Sequence, residues 1–215
     1  MSNRKEEIIE TAIELFNEKG CDKTSTRHIA AKLDISVGNL YYYFKNKEDI
    51  IIEIYQNLMK ILSEYLSVVK DGIDSAFDFY EFLSHQMEIE KKYRFLRLEM
   101  NSLFLNYPKV KEVLQKGVLE KTKEFKALYS HQIKYGYMNP LDNHEMEFIR
   151  ANNWVIAVQW ELYWVLMNES NEKRRRLKGV LNMLYFIKPY LTKRGLEESN
   201  LLKSIDYLKE ELDDD

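Results

Sequence analysis

The residues best suited to recognition chemistry lie close together: Val37, Gly38, Asn39, Tyr41, Tyr42, Tyr43 and Lys47. Asn39 can hydrogen-bond a base edge, and its geometry favours adenine. Tyrosine hydroxyls suit phosphate oxygens, and Gly38 lets a backbone approach a ligand closely. Lys47 sits where an ammonium and a helix N-terminus converge on one anion. The set belongs to nucleic-acid recognition rather than bond making. Tyr42, adjacent to two of the contacts, has a second reading, in which it packs on the first or fourth helix.

Such side chains need a rigid platform. Residues 26–33 read as a short helix with Ile29, Ala30 and Leu33 facing inward, and Thr24, Ser25 and Thr26 offer N-cap hydroxyls. Asp34, Ile35 and Ser36 form a tight link to a third helix over 37–44, with Ser36 as its N-cap. Two short helices joined this way make a helix-turn-helix, whose second helix enters the major groove. Leu40, Phe44 and Ile35 complete its inner face. The first helix, 3–19, closes the core with Ile9, Ala12, Ile13 and Phe16 on one face. Asn3 with Glu6 resembles a capping box, and Gly20 is placed for a left-handed helix end. Asn46 caps a fourth helix, with Asp49 at its third position.

The charge is distributed to suit this reading. The chain has 215 residues and a net charge of −3, which by itself argues against a polyanion partner. Residues 1–47 hold eight Lys/Arg against seven Asp/Glu. Within 23–47, Lys23, Arg27, Lys32, Lys45 and Lys47 face one acid, Asp34, for a net of +4. Positive charge is concentrated where a DNA contact needs it.

Beyond residue 47 the pattern is helix after helix: 47–69, 75–92, 93–106, 109–135, 142–168, 171–190 and 197–212. Asp71-Gly72, Tyr107-Pro108 and Gly136 with Pro140 are the breaks, while Ser75 with Asp78 and Asp142 with Glu145 are starts. With only 7 Gly and 3 Pro, the chain reads as all-α, nine or ten helices with no convincing strand. An acidic end, 213–215, follows. The single cysteine, Cys21, precludes an internal disulfide and fits a reducing cytoplasm. The polar N-terminus shows no signal peptide, and the apolar run 154–158 is too short for a bilayer. A cytoplasmic protein with no membrane partner is expected.

The run from Thr24 to Asp49, with Leu40-Tyr41-x-Tyr43-Phe44-Lys45-x-Lys47 at its centre, resembles the DNA-binding signature of the TetR family. The likeness covers about a quarter of the chain. It implies an all-helical homodimer: an N-terminal three-helix DNA-binding domain, 1–47, and a C-terminal helical domain, 48–215, that binds an effector and dimerises. Position by position, Thr26 and Arg27 match DNA-contacting positions opening the second helix. Val37, Gly38, Asn39, Tyr41 and Tyr43 match recognition-helix contacts, and Lys47 matches a phosphate-binding lysine. One departure stands out. Asp34 occupies the turn position often filled by Gly, and Asp tolerates the left-handed conformation better than most residues.

The C-terminal two-thirds is rich in aromatics, which line either a core or an apolar cavity with a few polar groups. Candidate effector contacts are Phe95, Glu99, Phe104, Phe125, Tyr129, Trp154 and Gln159; His85, Asn101 and Asn153 are further polar groups nearby. Trp160, Trp164, Met167, Leu181, Leu184 and Tyr185 resemble a helical-pair dimer interface, where aromatics and Met are enriched. The run Lys173 to Arg176 reads as a solvated face pairing with Glu169 and Glu172 rather than a second nucleic-acid patch. The expected function is a repressor released from a near-palindromic operator by a small, largely apolar ligand. The alternatives are a regulator or architectural protein with no effector, and a helical-bundle enzyme. The last has little support: the four histidines are dispersed, and His144-Glu145-Met146-Glu147 lacks the second His of a zinc-protease helix. No phosphate loop or nucleophile elbow is present, and no cofactor or metal is expected.

Overall fold

The structure, a computed structural model, describes residues 4–70 and 76–213. The expected Asn3 cap, the Asp71-Gly72 break, the Ser75 cap and the last two acidic residues lie outside the described residues. Among the described residues the chain is all-α, with twelve α-helices and one 3-10 turn. A lone antiparallel bridge, Met138 with Leu191, is the nearest approach to a strand. The helices are α1 Arg4–Lys19, α2 Thr26–Lys32, α3 Val37–Tyr43, α4 Lys47–Lys70, α5 Phe79–Lys92, α6 Arg94–Leu98, α7 Met100–Asn106, α8 Pro108–Lys134, α9 Asn143–Leu166, α10 Glu172–Ile187, α11 Lys193–Glu198 and α12 Leu201–Asp213.

Twelve rather than ten helices arise from two splits. The stretch 93–106 breaks at Glu99, whose φ of −104° and ψ of 13° leave the helical range. Glu99 is no intrinsic breaker; its carboxylate is drawn to the Cys21 amide. The last segment breaks at Asn200, which takes a left-handed φ of 56°. The remaining caps follow local chemistry. Ser25, Ser36, Asn46 and Asp142 each accept from an amide three residues on, satisfying a free helix donor. Gly20 and Gly136 have positive φ at helix ends, as their lack of a Cβ permits.

The chain divides into two compact units, Met1–Ser63 with Ile89–Leu119, and Glu64–Glu88 with Glu120–Asp215. The first unit is built on α1. Its Ile8, Ile9, Ala12, Ile13, Leu15 and Phe16 are all buried, one amphipathic face with a helical repeat. Against it pack Ile29, Ala30, Leu40 and Phe44, with Ile50 and Ile54 of α4 and Phe95, Leu96 and Leu103 of α6 and α7. Phe16 and Phe95 meet with ring centroids 5.0 Å apart. Such a tilted pair adds about 0.5–1.5 kcal/mol beyond area burial.

The second unit has its own core. Phe77, Phe79, Phe82, Tyr129, Trp160, Val180, Leu184 and Ile205 are among its buried members. The basic run at the start of α10 is tied up in ion pairs. Arg174 and Lys178 reach Glu169, Arg176 reaches Glu172, Lys173 reaches Glu211 and Arg175 reaches the buried Glu161. Arg174 with Glu169 and Arg176 with Glu172 are the pairings the sequence implied. Lys178 holds the Glu169 carboxyl below its ordinary range, helped by the Asn171 amide and Arg174.

Candidate nucleic-acid interface

The geometry of α3 separates inside from outside. Leu40 is fully buried, while Gly38, Asn39, Tyr41, Tyr42 and Tyr43 are exposed and Val37 is half-buried. Ser36 fixes where the helix begins by accepting from the Asn39 amide at 3.1 Å. The polar side chain of Asn39 is thus presented on the first turn of a rigidly capped helix. Asp34 adopts φ 53° in the turn between α2 and α3, so the left-handed geometry survives the replacement of glycine.

Helix α2 is held to α3 by a polar contact. The Thr26 and Tyr41 hydroxyls lie 3.3 Å apart, and Thr26 is largely buried while Arg27 beside it is exposed. Thr26 therefore supports Tyr41 from behind, and its hydroxyl faces its own chain. Ser25 caps α2, and His28 closes a capping box, its Nδ1 accepting from the Ser25 amide. His28 is exposed, with no metal-binding group of His, Cys, Asp or Glu found among the described residues.

Tyr42 decides its two readings by exposure. It is 84% exposed and packs edge-on against Tyr43, centroids 5.1 Å apart, rather than on α1 or α4. It belongs to the same outward face as the residues singled out from sequence. Its position beside two exposed tyrosines was the available signal. Lys32, one of the cations that make 23–47 basic, is paired with Glu14 at 2.8 Å, and Lys23, Arg27 and Lys45 of that stretch are exposed.

Lys47 is half-buried. Its Nζ donates to the Cys21 carbonyl at 2.6 Å and lies 5.3 Å from the Tyr107 ring centroid. Around it, burial pushes the Cys21 thiol up, with Glu99 adding to the effect. Burial, then the neighbouring Asp22 carboxylate, pushes the Tyr107 phenol up to about 12. Both groups stay neutral near pH 7.

The candidate effector residues are not brought together as one set. Phe95, Glu99 and Phe104 belong to the first unit. Phe95 is core, Glu99 is bound to the Cys21 amide, and Phe104 lies at the surface beneath Lys111. Phe125 and Tyr129 meet in the second unit at 6.0 Å, with Phe82 a further 6.0 Å from Phe125. Trp154 and Gln159 are exposed on α9. The dimer candidates divide likewise. Trp160, Leu181 and Leu184 are buried in their own chain, Trp164 is half-buried, and Met167 and Tyr185 are exposed. Beside Met167, Leu162, Tyr163, Val165 and Leu166 of α9 are exposed as well.

No helix among the described residues is long and apolar enough to cross a membrane. Comparison with known proteins speaks to the family. Residues 8–54 match the model of the bacterial regulatory proteins of the tetR family, and residues 55–198 match that of a bacterial transcriptional repressor. The chain is 31% identical over 99 residues to the negative transcriptional regulator IcaR of the biofilm operon icaADBC in Staphylococcus epidermidis. That alignment takes in 46% of this chain and 54% of the relative, so the chain spans about half of that protein's length. A crystal structure of a TetR-family regulator from Marinobacter aquaeolei superimposes with a TM-score of 0.81. It is 25% identical, and the match covers 96% of this chain and 99% of the other. A regulator from Saccharomonospora viridis solved with choline shares the fold at a TM-score of 0.69 and 17% identity, covering 90% and 100%. With a helix-turn-helix at its head and family matches running through most of its length, the chain is a member of the TetR family of transcriptional regulators, DNA-binding proteins rather than enzymes.

Proposed function

We propose that this regulator is a homodimeric repressor that leaves a near-palindromic operator when a small, largely apolar ligand binds. The observation that carries the DNA-binding part is the outward face of α3. Gly38, Asn39, Tyr41, Tyr42 and Tyr43 are exposed on one capped helix, with Arg27 and Lys47 on the flanking helices. In this reading Asn39 addresses a base edge, and the tyrosines, Arg27 and Lys47 hold phosphates. Residues 1–47 form the reading head, and 48–215 carry dimerisation and the effector. Acting on DNA places the protein in the cytoplasm.

Dimerisation is supported by the exposed apolar surface at the C-terminal end of α9, where Leu166 is 72%, Met167 60% and Tyr163 54% exposed. Surfaces of this kind in soluble chains mark association sites. A symmetric dimer sets two recognition helices about 34 Å apart, one turn of DNA, which is why the operator is expected to be near-palindromic. For the effector, the support is the Phe82, Phe125 and Tyr129 cluster in the second unit and the small molecule held by the S. viridis protein.

The test is selection of duplexes from random-sequence DNA by the purified protein. Enrichment of a near-palindrome, bound by two chains in sedimentation, is the expected result. A protein that enriches no sequence would overturn the proposal. A small-molecule library then identifies compounds that raise the melting temperature and weaken binding to that duplex. A ligand that stabilises the fold and leaves DNA binding unchanged would remove the effector from it.

A further inference from the structure

The turn between α1 and α2, residues 20–23, is held from outside the reading head. Both oxygens of Glu99, at the corner between α6 and α7, accept from the Cys21 amide, at 2.9 and 3.2 Å. Asp22 accepts from the Ser102 hydroxyl at 3.1 Å and, on its other oxygen, from the Tyr107 hydroxyl at 3.3 Å. The Cys21 carbonyl accepts from Lys47, whose ammonium also sits over the Tyr107 ring. Gly20, with φ 85°, lies so near Glu99 that a Cβ there would come within 3.0 Å of its Oε1. Turn, corner and lysine therefore fit one another at a single geometry.

Two carboxylates in this position are costly for a protein that binds a polyanion. Coulomb repulsion with phosphate opposes binding, so they need a compensating role. We propose that Glu99 is a positioning residue for DNA reading. By holding the N–H of Cys21 it fixes the backbone of that residue, and with it the start of α2 and the carbonyl that directs the Lys47 ammonium, with Asp22, Ser102 and Tyr107 as the second tie. Glu99 touches no DNA in this arrangement. It acts through Cys21, whose N–H it holds and whose carbonyl, in the next peptide group, orients the lysine. The inference rests on the DNA-binding face described above and extends it to Ser102 of α7 and to Glu99 and Tyr107 at the two ends of that helix.

Two variants separate positioning from charge. Glu99→Gln and Glu99→Ala remove the same charge, but only Gln keeps an acceptor for the Cys21 amide. Loss of a negative charge alone strengthens DNA binding in both. Positioning predicts that Glu99→Ala binds the selected duplex roughly tenfold more weakly, while Glu99→Gln binds as well as wild type or better. The dependence of binding on salt reports on Lys47. Its slope in log–log form falls by about one in Glu99→Ala and stays unchanged in Glu99→Gln. In the free protein, the Cys21 amide exchanges faster in Ala than in Gln.

Should Glu99→Ala fail to fold, the double variant Ser102→Ala with Tyr107→Phe removes both donors to Asp22 from half-buried positions. It is expected to lose several-fold in affinity. Equal affinities for Glu99→Ala and Glu99→Gln, or an unaltered double variant, overturn the positioning role while leaving the DNA-binding face intact. Failure of wild type to bind any duplex would instead remove the proposed function, and the positioning role with it.

Discussion

At 84% exposure, Tyr42 leaves a large aromatic ring in water with only Tyr43 to shield it. Removing the ring therefore affects folding little and recognition more. Tyr42→Ala is expected to retain its unfolding midpoint within about 0.5 kcal/mol. It should weaken operator binding several-fold in a titration of the selected duplex. Equal binding would take Tyr42 off the DNA face. Glu169 illustrates a different residue-scale effect. Its carboxyl is lowered by Lys178, so the folded state holds fewer protons than the unfolded state just below the ordinary carboxylate range. Stability from this group is complete above about pH 4.3 and is lost as pH falls through the depressed folded value. Glu169→Gln should flatten the acid limb of stability against pH, measured by urea unfolding from neutral to acid. An unchanged limb would show that the pair contributes nothing there.

Single elements depend on backbone geometry that only some residues accept. Asp34 holds φ 53° in the turn of the helix-turn-helix. A β-branched side chain there is strained, so Asp34→Val is expected to cost about 1–3 kcal/mol in equilibrium unfolding. Loss of DNA binding beyond the unfolded fraction would show that the turn also sets the angle of α3. Helix α10 passes close to α9 at Gly179. A Cβ there would lie 2.6 Å from Cε3 of Trp160, a buried and rigid indole. Helix propensity favours Ala over Gly by about 1 kcal/mol. Overpacking costs about 1–3 kcal/mol and wins, so Gly179→Ala should lower the melting temperature. A higher melting temperature would mean that the α9–α10 pair can move apart.

For the whole molecule, association is the quantity to measure. Leu166, at 72% exposure, lies amid the exposed Tyr163, Val165 and Met167 at the end of α9, where no other part of the described chain covers it. Burying an isolated carboxylate in an apolar interface is strongly unfavourable, so Leu166→Glu should yield monomers in sedimentation equilibrium with helix content unchanged. The monomer should also lose operator affinity by far more than tenfold, because two linked reading heads bind with an effective concentration that a single head lacks. A dimer that survives the substitution would place the interface elsewhere.

The amino-acid sequence by itself determined the all-α class, the helix-turn-helix and the exposed Gly38, Asn39, Tyr41 and Tyr43 of its second helix. Those features are local: caps three residues from their donors, a helical repeat of apolar side chains, and a basic stretch in an acidic chain. Ser36, Asp34 and Leu40 carry their meaning within a few residues of chain. What the tertiary structure decided depends on distant partners. Glu99 reads as a polar cavity residue until the Cys21 amide, 78 residues away in sequence, appears beside it. Leu184 and Leu166 look alike as apolar positions on paired helices, yet one is fully buried and the other exposed. Periodicity shows that a helix has an apolar face; which neighbour covers that face is fixed only when the helices pack.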